Sequence, residues 1–293
     1  MPAIQATTRI ALSNILFTTD FSPVSRRALQ YAEELARWYG ARILVAHVVR
    51  NEPYLAGVME PIPVDLDLFW NIEKRALDEF VATSNLEDVA HEEILRRGEL
   101  WDVISEVVQE KRVDLVVVGT HGRQGLKKVV LGSAAEKIYR QAKCPVLTVG
   151  PEVGDCCPEE WRLKEILFPT DFSETSLRAL PYALSLAEEK QATLTFVHMM
   201  PLIPDRRREE VGRETRRRLA ALMPDEPWCK PNFMVDFDFP APGILNVACE
   251  CKADLIVMGV GKPGAPGLTS HLPWSTASDV VSAAPCPVLT VRG

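Results

Sequence analysis

The chain has 293 residues, of which 47% are hydrophobic and 25% are charged, and its formal net charge at neutral pH is -7. This length and composition exclude a disordered chain and allow two ordinary hydrophobic cores. The acidic balance argues against a broad basic surface for nucleic acid or anionic membrane, so neither partner is expected.

The N-terminus and the cysteines both indicate a cytoplasmic protein. Residues 1–9 lack the basic start and apolar stretch of a signal peptide, and no apolar run approaches the ~18 residues that a membrane helix needs. The seven cysteines are an odd number and lack paired metal-ligand spacing with histidines. We therefore expect reduced, mostly structural thiols and no metal site.

The chain contains an internal repeat. The segment NILFTTDFS at 14–22 recurs as EILFPTDFS at 165–173, an offset of 151 residues. Near the end of each half, KCPVLTV at 143–149 is matched by PCPVLTV at 285–291. The repeat predicts two homologous domains, at 9–150 and 162–293, joined by a linker that contains proline and glycine.

Strand and helix patterns alternate along the first half. A strand is predicted at 15–18, after which Ser22 caps a helix that has Pro23 at its first position and ends at Gly40. Further strands are predicted at 42–49, 91–97, 115–119 and 145–149, and further helices at 67–83, 100–111 and 133–141. In the second half, strands are predicted near Ile166 and at 193–198, 233–237, 255–258 and 288–291. This alternation predicts an α/β fold, in which each half is a five-stranded parallel sheet covered by helices on both faces.

The stretch 114–133 carries most of the information about function. A short apolar strand ends at Gly119, Gly122 follows, and Gly132-Ser133 opens a helix. Glycines permit close approach of the backbone, and a helix start offers free N–H groups and a dipole worth about 0.3 to 1 kcal/mol per exposed negative charge. Arg123 and the Ser133 hydroxyl would add donors for a phosphate. The stretch nevertheless lacks both common phosphate-loop signatures, so its spacing alone is a weak signal.

A family resemblance sharpens this signal. The spacing Gly119-x-x-Gly122, nine residues and then Gly132-Ser133 resembles the ATP-binding motif of the universal stress protein family. The TDFS segments, the His47-Val48 pair and the CPVLTV segments are similar to that family too, and with the duplication the resemblance covers nearly the whole chain. It implies a tandem protein of two Rossmann-like domains with strand order 3-2-1-4-5, ATP with Mg as the ligand, and a stress-response or signalling role without catalytic residues.

The resemblance also implies roles for individual positions. Asp20 would meet the ribose region, and Val48 would contact adenine through its backbone. Thr18 stands where the family often has proline. The residues implied to bind ATP are Thr18, Asp20, Val48, Val118, Gly119, Gly122, Arg123, Gly132, Ser133 and Ala134. The alternative for Asp20 is a turn carboxylate, and a role in the fold is expected for His47 and His198, which end equivalent strands.

The second half departs from the motif. Counting back from Cys286 as from Cys144 places Trp274 where the first half has Gly132, in a loop that is two residues longer and contains prolines. An indole is expected to fill the phosphate space. We therefore expect no ATP in the same mode in this half, although it retains Asp171.

Two other classes of function remain open. One is an enzyme that hydrolyses ATP or transfers its phosphoryl or adenylyl group, and the other is a structural interaction protein without nucleotide. The loop shows no recognisable acid/base pair, water-positioning residue or magnesium carboxylate, which speaks against the enzyme. The resemblance further implies an intramolecular pseudo-dimer that pairs the fifth strands, 146–149 and 288–291, and leaves a homodimer of whole chains open.

Overall fold

Ten strands form one continuous sheet in the computed structural model, which describes residues 10–49, 66–120, 133–154, 161–224, 231–261 and 273–292, without the side chains of 133, 134 and 273–275. The strands are β1 (Asn14–Thr18), β2 (Arg42–Val49), β3 (His91–Arg97), β4 (Leu115–Gly119), β5 (Val146–Val149), β6 (Glu165–Pro169), β7 (Thr193–Met200), β8 (Asn232–Phe237), β9 (Leu255–Val260) and β10 (Val288–Arg292). The helices are α1 (Pro23–Tyr39), α2 (Leu66–Ala82), α3 (Leu100–Glu110), α4 (Ser133–Gln141), α5 (Glu174–Leu177), α6 (Leu180–Lys190), α7 (Asp205–Ala220), α8 (Pro240–Glu250) and α9 (Pro273–Ala283).

The strand order is β3-β2-β1-β4-β5-β10-β9-β6-β7-β8. Neighbouring strands within each half are parallel, so each half has the predicted order 3-2-1-4-5. The halves meet where β10 runs antiparallel to β5, with Leu289 opposite Leu147. The two five-stranded units are therefore one mixed sheet. This arrangement satisfies the backbone groups that two edge strands would otherwise leave unpaired.

Helices cover both faces of the sheet. Ile15 and Phe17 of β1 face the core beneath α1, α2, α6 and α7, whereas Leu16 faces the core beneath α3, α4, α8 and α9. All three side chains are fully buried. Strands that are buried on both faces read as continuous apolar runs, and for this reason their bounds could be predicted closely from the sequence.

The helix after the first strand differs between the halves. α1 begins as predicted, since the Ser22 hydroxyl accepts from the backbone N–H of Ser25, and it ends at Gly40 with a left-handed φ of 63°. Its counterpart is interrupted, so that α5 ends at Leu177 and α6 starts at Leu180. Pro181 stands 151 positions after Gln30 in the uninterrupted helix. A proline lacks the N–H that would continue the helical bonding and its ring clashes with the preceding turn, which explains the break.

An aspartate holds the fourth strand of each half against the first. Asp114 Oδ2 accepts from the backbone N–H groups of Ser13 and Asn14 at 2.8 and 2.9 Å. Asp254 Oδ2 accepts in the same way from Lys164 and Glu165 at 2.7 and 2.9 Å. These bonds align the amino ends of the two strands, and the register then fixes where their carboxyl ends lie. These bonds join residues about 100 and 90 positions apart and have no local signal in the sequence.

Side chains of α1 and α6 contact each other across the boundary between the halves. The Tyr39 hydroxyl donates to Glu189 Oε2 at 2.6 Å, and Lys190 Nζ lies 3.6 Å from the centroid of the Trp38 ring. A cation so close to an indole face is attracted to the ring by about 0.5 to 1 kcal/mol when exposed.

Among the helices that the structure describes, none combines the length and apolarity needed to cross a membrane.

Candidate functional site

The carboxyl ends of three strands lie side by side in the first half. Thr18 at the end of β1 pairs with Ala46 of β2 on one side and Val118 of β4 on the other. Neighbouring strands are ~4.8 Å apart, so Thr18, Ala46 and Val118 form one short row, and Val48 lies two residues further along β2. The chain leaves β1 toward β2 on one side, whereas β4 lies on the other, so the order of strands reverses here. This is the position where parallel α/β sheets bind ligands.

The loop after β1 is held by its own side chains. The Phe21 N–H donates to Thr19 Oγ1 at 2.9 Å, and the Ser22 N–H donates to Asp20 Oδ1 at 3.0 Å. Asp20 therefore has the turn role that was its alternative assignment. It is also partly exposed at the edge of the sheet, where a ligand would meet it. A ligand role for Asp20 stays a prediction.

Phe21 adopts a backbone conformation that is unusual for its residue type. Its φ is +65°, in the left-handed region that costs a non-glycine residue roughly 1 to 2 kcal/mol. Its ring packs against the His47 ring, with centroids 4.3 Å apart, and against Phe80, with centroids 5.7 Å apart. Phe172 repeats the conformation in the second half with φ of +63°. The ring contacts offset the backbone strain in this loop.

His47 connects β2 with the loop after β1. Its Nδ1 lies 2.8 Å from the carbonyl oxygen of Thr19, to which it must donate because a carbonyl only accepts. Its Nε2 lies 3.2 Å from Glu73 Oε2 on α2. His198 Nδ1 repeats the first contact, at 2.7 Å from the Thr170 carbonyl. The expected role of both histidines in the fold is thus present as a hydrogen bond between neighbouring strand ends.

Glu73 was not predicted from the sequence. It lies on the buried face of α2 together with Leu77 and Phe80, where periodicity predicts apolar residues. A carboxylate on an apolar face was the available signal. Its partner His47 is distant in sequence, so the pairing itself emerges only from the fold.

Gly119 ends β4 where the strand meets the start of α1. A Cβ at this position would lie 3.0 Å from the backbone nitrogen of Ser25, closer than side chains normally pack. Gly259 is the equivalent residue in the second half, and its Cβ would lie 2.1 Å from the carbonyl oxygen of Thr175. The glycine therefore allows the first turn of a helix to approach the strand end, in both halves. This brings the N-terminus of α1 to the row of strand ends.

The remaining predicted ligand residues belong to the loop and helix after β4. Gly122, Arg123 and Gly132 lie outside the described residues. The helix α4 begins at Ser133 as predicted, but the side chains of Ser133 and Ala134 are not described. The roles of these five residues stay predictions.

Three of the described cysteines are unsuited to act as nucleophiles or metal ligands. Burial raises the pKa of Cys144 to about 11 and that of Cys251 to about 11, and it also raises the pKa of Cys286. These thiols are protonated at neutral pH, whereas a nucleophile or metal ligand must be a thiolate. Within the residues that the structure describes, no group of three His, Cys, Asp or Glu residues is placed to hold a metal ion.

In the second half the loop after β6 has the same hydrogen bond as the loop after β1, but the residues at the strand ends differ. Ser173 N–H donates to Asp171 Oδ1 at 2.9 Å, as in the first half. Met199 stands at the position of Val48, and its Sδ lies 2.5 Å from where a Cβ on Gly243 would be. Trp274 lies in the first turn of α9, and its side chain is outside the description. A longer side chain thus occupies the second half at the position predicted for adenine contact in the first.

Comparison with known proteins identifies the family. The model of the universal stress protein family matches the chain twice, over residues 12–150 and 162–292. The chain belongs to the universal stress protein family. The tandem arrangement and the α/β fold predicted from the sequence are both confirmed.

Similar universal stress proteins match one half or the whole chain. One from Mycolicibacterium smegmatis is 27% identical over 298 residues, which cover 95% of this chain and 96% of that protein. Universal stress protein A homolog 1 of Coxiella burnetii is 34% identical over 139 residues, 46% of this chain and 94% of its own length. The crystal structure of a universal stress protein from Archaeoglobus fulgidus has a TM-score of 0.67 at 19% identity, and the match covers 95% of this chain and 98% of that one. The last comparison shows likeness of fold alone.

Proposed function

We propose that the chain is a cytoplasmic universal stress protein that binds ATP with Mg²⁺ in its first domain, residues 9–150, and acts as a stress-response or signalling module. The observation that carries this proposal is the reversal of strand order between β1 and β4. There Thr18 and Val118 lie side by side near the start of α1, and Val48 lies on β2 two residues beyond Ala46, the partner of Thr18.

The residues at this edge fit the parts of a nucleotide. Thr18 and Val118 are buried at the ends of their strands, and the partly exposed Asp20 offers a carboxylate for ribose hydroxyl groups. The free N–H groups at the start of α4, together with Gly132, Ser133 and Arg123, would hold phosphates. Bound Mg²⁺ would neutralise phosphate charge.

The second domain, residues 162–293, is proposed not to bind ATP in this mode. Met199 replaces Val48, Met258 replaces Val118, and Trp274 replaces Gly132. Each replacement adds side-chain volume at a position where the first domain is proposed to contact the ligand. The two domains are proposed to act as an intramolecular pseudo-dimer, which the antiparallel pairing of β5 with β10 supports.

Isothermal titration with Mg-ATP tests this function. We expect one site per wild-type chain, no measurable binding to Gly132→Trp, and unchanged binding to the reciprocal control Trp274→Gly. At a ligand concentration 100-fold above Kd, binding should stabilise the first domain by about 2.7 kcal/mol. Equal affinity of wild type and Gly132→Trp would contradict the proposed site, and no binding to wild type would contradict the function.

A further inference from the structure

Glu73 is a buried carboxylate that the fold of the other half does without. Its side chain is 11% exposed and that of its partner His47 is 10% exposed. Burial of a charged group is unfavourable unless the group is paired and hydrogen-bonded. Packing of α2 alone therefore does not explain why a carboxylate stands at position 73.

His198 shows that the histidine works in the fold without a carboxylate. It keeps the hydrogen bond to the Thr170 carbonyl and the ring contact with Phe172, whose centroid is 4.8 Å away. Among the described residues, no carboxylate lies within ion-pair distance of His198. The buried positions of α7, which packs there as α2 does in the first half, are Gly212, Thr215 and Leu219. Among the described residues, the second partner of the histidine is thus found in the half that carries the complete glycine motif and not in the other half.

Two partners fix the His47 ring more firmly than one. Since Nδ1 donates to the Thr19 carbonyl, a hydrogen bond between Nε2 and Glu73 requires one more proton, carried either by the ring or by the carboxyl group. The pair is electrically neutral overall in both cases. The ring is then held from both sides, between the loop after β1 and helix α2.

We propose that Glu73 is a positioning residue for the nucleotide site of the first domain. By fixing His47 it holds the Thr19 carbonyl, and therefore the loop that contains Asp20, against the end of β2 where Val48 lies. A binding loop that is already ordered loses less conformational freedom when the ligand arrives, and its affinity is correspondingly higher. The inference rests on the proposed function, because it assigns Glu73 to that same site.

Three variants separate this role from a general effect of losing a buried charge. Glu73→Leu removes the contact and leaves the hydrogen bond from His47 to the Thr19 carbonyl, which matches the bond that His198 makes to the Thr170 carbonyl. Glu73→Gln can donate its amide N–H to a neutral His47 Nε2, so it should recover most of the affinity lost in Glu73→Leu. Glu33→Leu is the matched control. It removes another buried carboxylate, on α1, at the position where the second half has Leu184, and it does not touch the loop.

The first measurement is the Kd for Mg-ATP. We expect Glu73→Leu to raise Kd about three- to ten-fold, the effect of having to immobilise one or two side chains on binding, while Glu33→Leu stays within about two-fold of wild type. Wild-type affinity in Glu73→Leu would overturn the inference. An equal loss in Glu33→Leu would overturn it too, because the effect would then belong to any buried carboxylate.

The second measurement needs no nucleotide. Amide hydrogen exchange of Phe21 and Ser22, whose N–H groups bond within the loop, should be at least about ten-fold faster in Glu73→Leu than in wild type, and close to wild type in Glu73→Gln. Exchange of core strand amides in the same sample reports global stability. If wild type binds no ATP, the proposed function fails while this comparison still decides whether Glu73 orders the loop. Unchanged exchange at Phe21 and Ser22 would overturn the inference.

Discussion

The sulfur of Met199 lies 2.5 Å from the point where a Cβ on Gly243 would stand, so the two residues fit only because position 243 has no side chain. In the first half the same two places hold Val48 and Val103, a smaller and a larger residue respectively. In the second half the larger side chain is on the strand, and in the first half the helix position also carries a side chain. The second half has therefore repacked the end of its second strand without changing the fold.

Gly243→Ala is expected to be more costly in wild type than in Met199→Val. In wild type the new methyl group displaces the Met199 side chain, at a cost of about 1 kcal/mol. In Met199→Val the sulfur no longer blocks the position and the Asp238 Cβ, 3.3 Å away, is the close neighbour that stays, so alanine, the better helix former, should cost about 1 kcal/mol less than in wild type. Urea denaturation of the four proteins gives the coupling energy directly. An identical effect of Gly243→Ala in both backgrounds would show that the two residues are independent.

Alanine at the two strand-end glycines should be costly, and more so in the second half. At Gly119 the new Cβ meets backbone of α1 at 3.0 Å, whereas at Gly259 it meets a carbonyl oxygen at 2.1 Å. Backbone cannot move aside as a side-chain tip can. We expect a loss of about 1 to 3 kcal/mol for Gly119→Ala and about 3 kcal/mol or more for Gly259→Ala, read from urea midpoints. Gly212→Ala is the control, since its Cβ would meet only an Arg216 side-chain atom at 3.7 Å, and it should be neutral or stabilising.

Glu33 should make stability depend on pH. Burial raises the pKa of this carboxyl group to about 7, and the nearby Arg37 opposes the rise only in part. Below about pH 4.5 the group is protonated in both the folded and the unfolded chain. Between about pH 4.5 and pH 7 the unfolded chain releases its proton first, so this contribution to stability is lost as pH rises through that window.

Glu33→Gln keeps an acceptor for the Asn85 N–H and removes the charge. It should match wild type at pH 4.5 and be more stable by about 2 to 3 kcal/mol at pH 8, measured by guanidinium denaturation. Glu87→Gln, at an exposed position, gives the baseline for removing a surface charge. A difference between Glu33→Gln and wild type that does not change with pH would contradict the assignment.

Tyr39→Phe tests the contact between α1 and α6. Burial, together with the hydrogen bond to Glu189, raises the pKa of Tyr39, so its hydroxyl remains a donor throughout the physiological range. The bond is charge-assisted but solvent reaches it, so its loss should destabilise the protein by about 1 kcal/mol. Tyr182→Phe, in the helix that carries Glu189, should be close to neutral. Thermal unfolding of the two variants side by side makes the comparison, and equal losses would argue against a specific role for Tyr39.

Local pattern was sufficient for most of the fold. The predicted bounds of β2, β3, β4 and α4 agree with the structure, because β2 and β4 are apolar runs, β3 ends at Gly98 and α4 has an amphipathic pattern. The break before Pro181 was not predicted, although a proline inside a helical pattern is a local signal for it. The pairing of Asp114 with the start of β1 had no such signal, because its partners lie about 100 residues away in sequence.

The candidate site could be predicted only in part for the same reason. Asp20 lies just after a strand end, Val48 and Gly119 lie at strand ends, and strand ends can be predicted from the sequence. His47 was recognised as part of the fold, but its partner Glu73 belongs to a helix whose packing the sequence does not specify. The sequence motif assigned Gly119 to ligand binding, whereas the structure shows that a helix approaches the strand end closely at this position. The same approach occurs in the half predicted not to bind ATP, so packing alone requires a glycine here.

The antiparallel pairing of β5 with β10 determines where the strand ends of each half lie. All strands within one half run in the same direction, and the two halves run in opposite directions. The carboxyl ends of the two halves therefore lie at opposite edges of the sheet. A small ligand bound at one row of strand ends is therefore separated from the other row by the length of the strands. Substitutions at one row do not obstruct a ligand at the other, and a protein that contacts both rows must span that length.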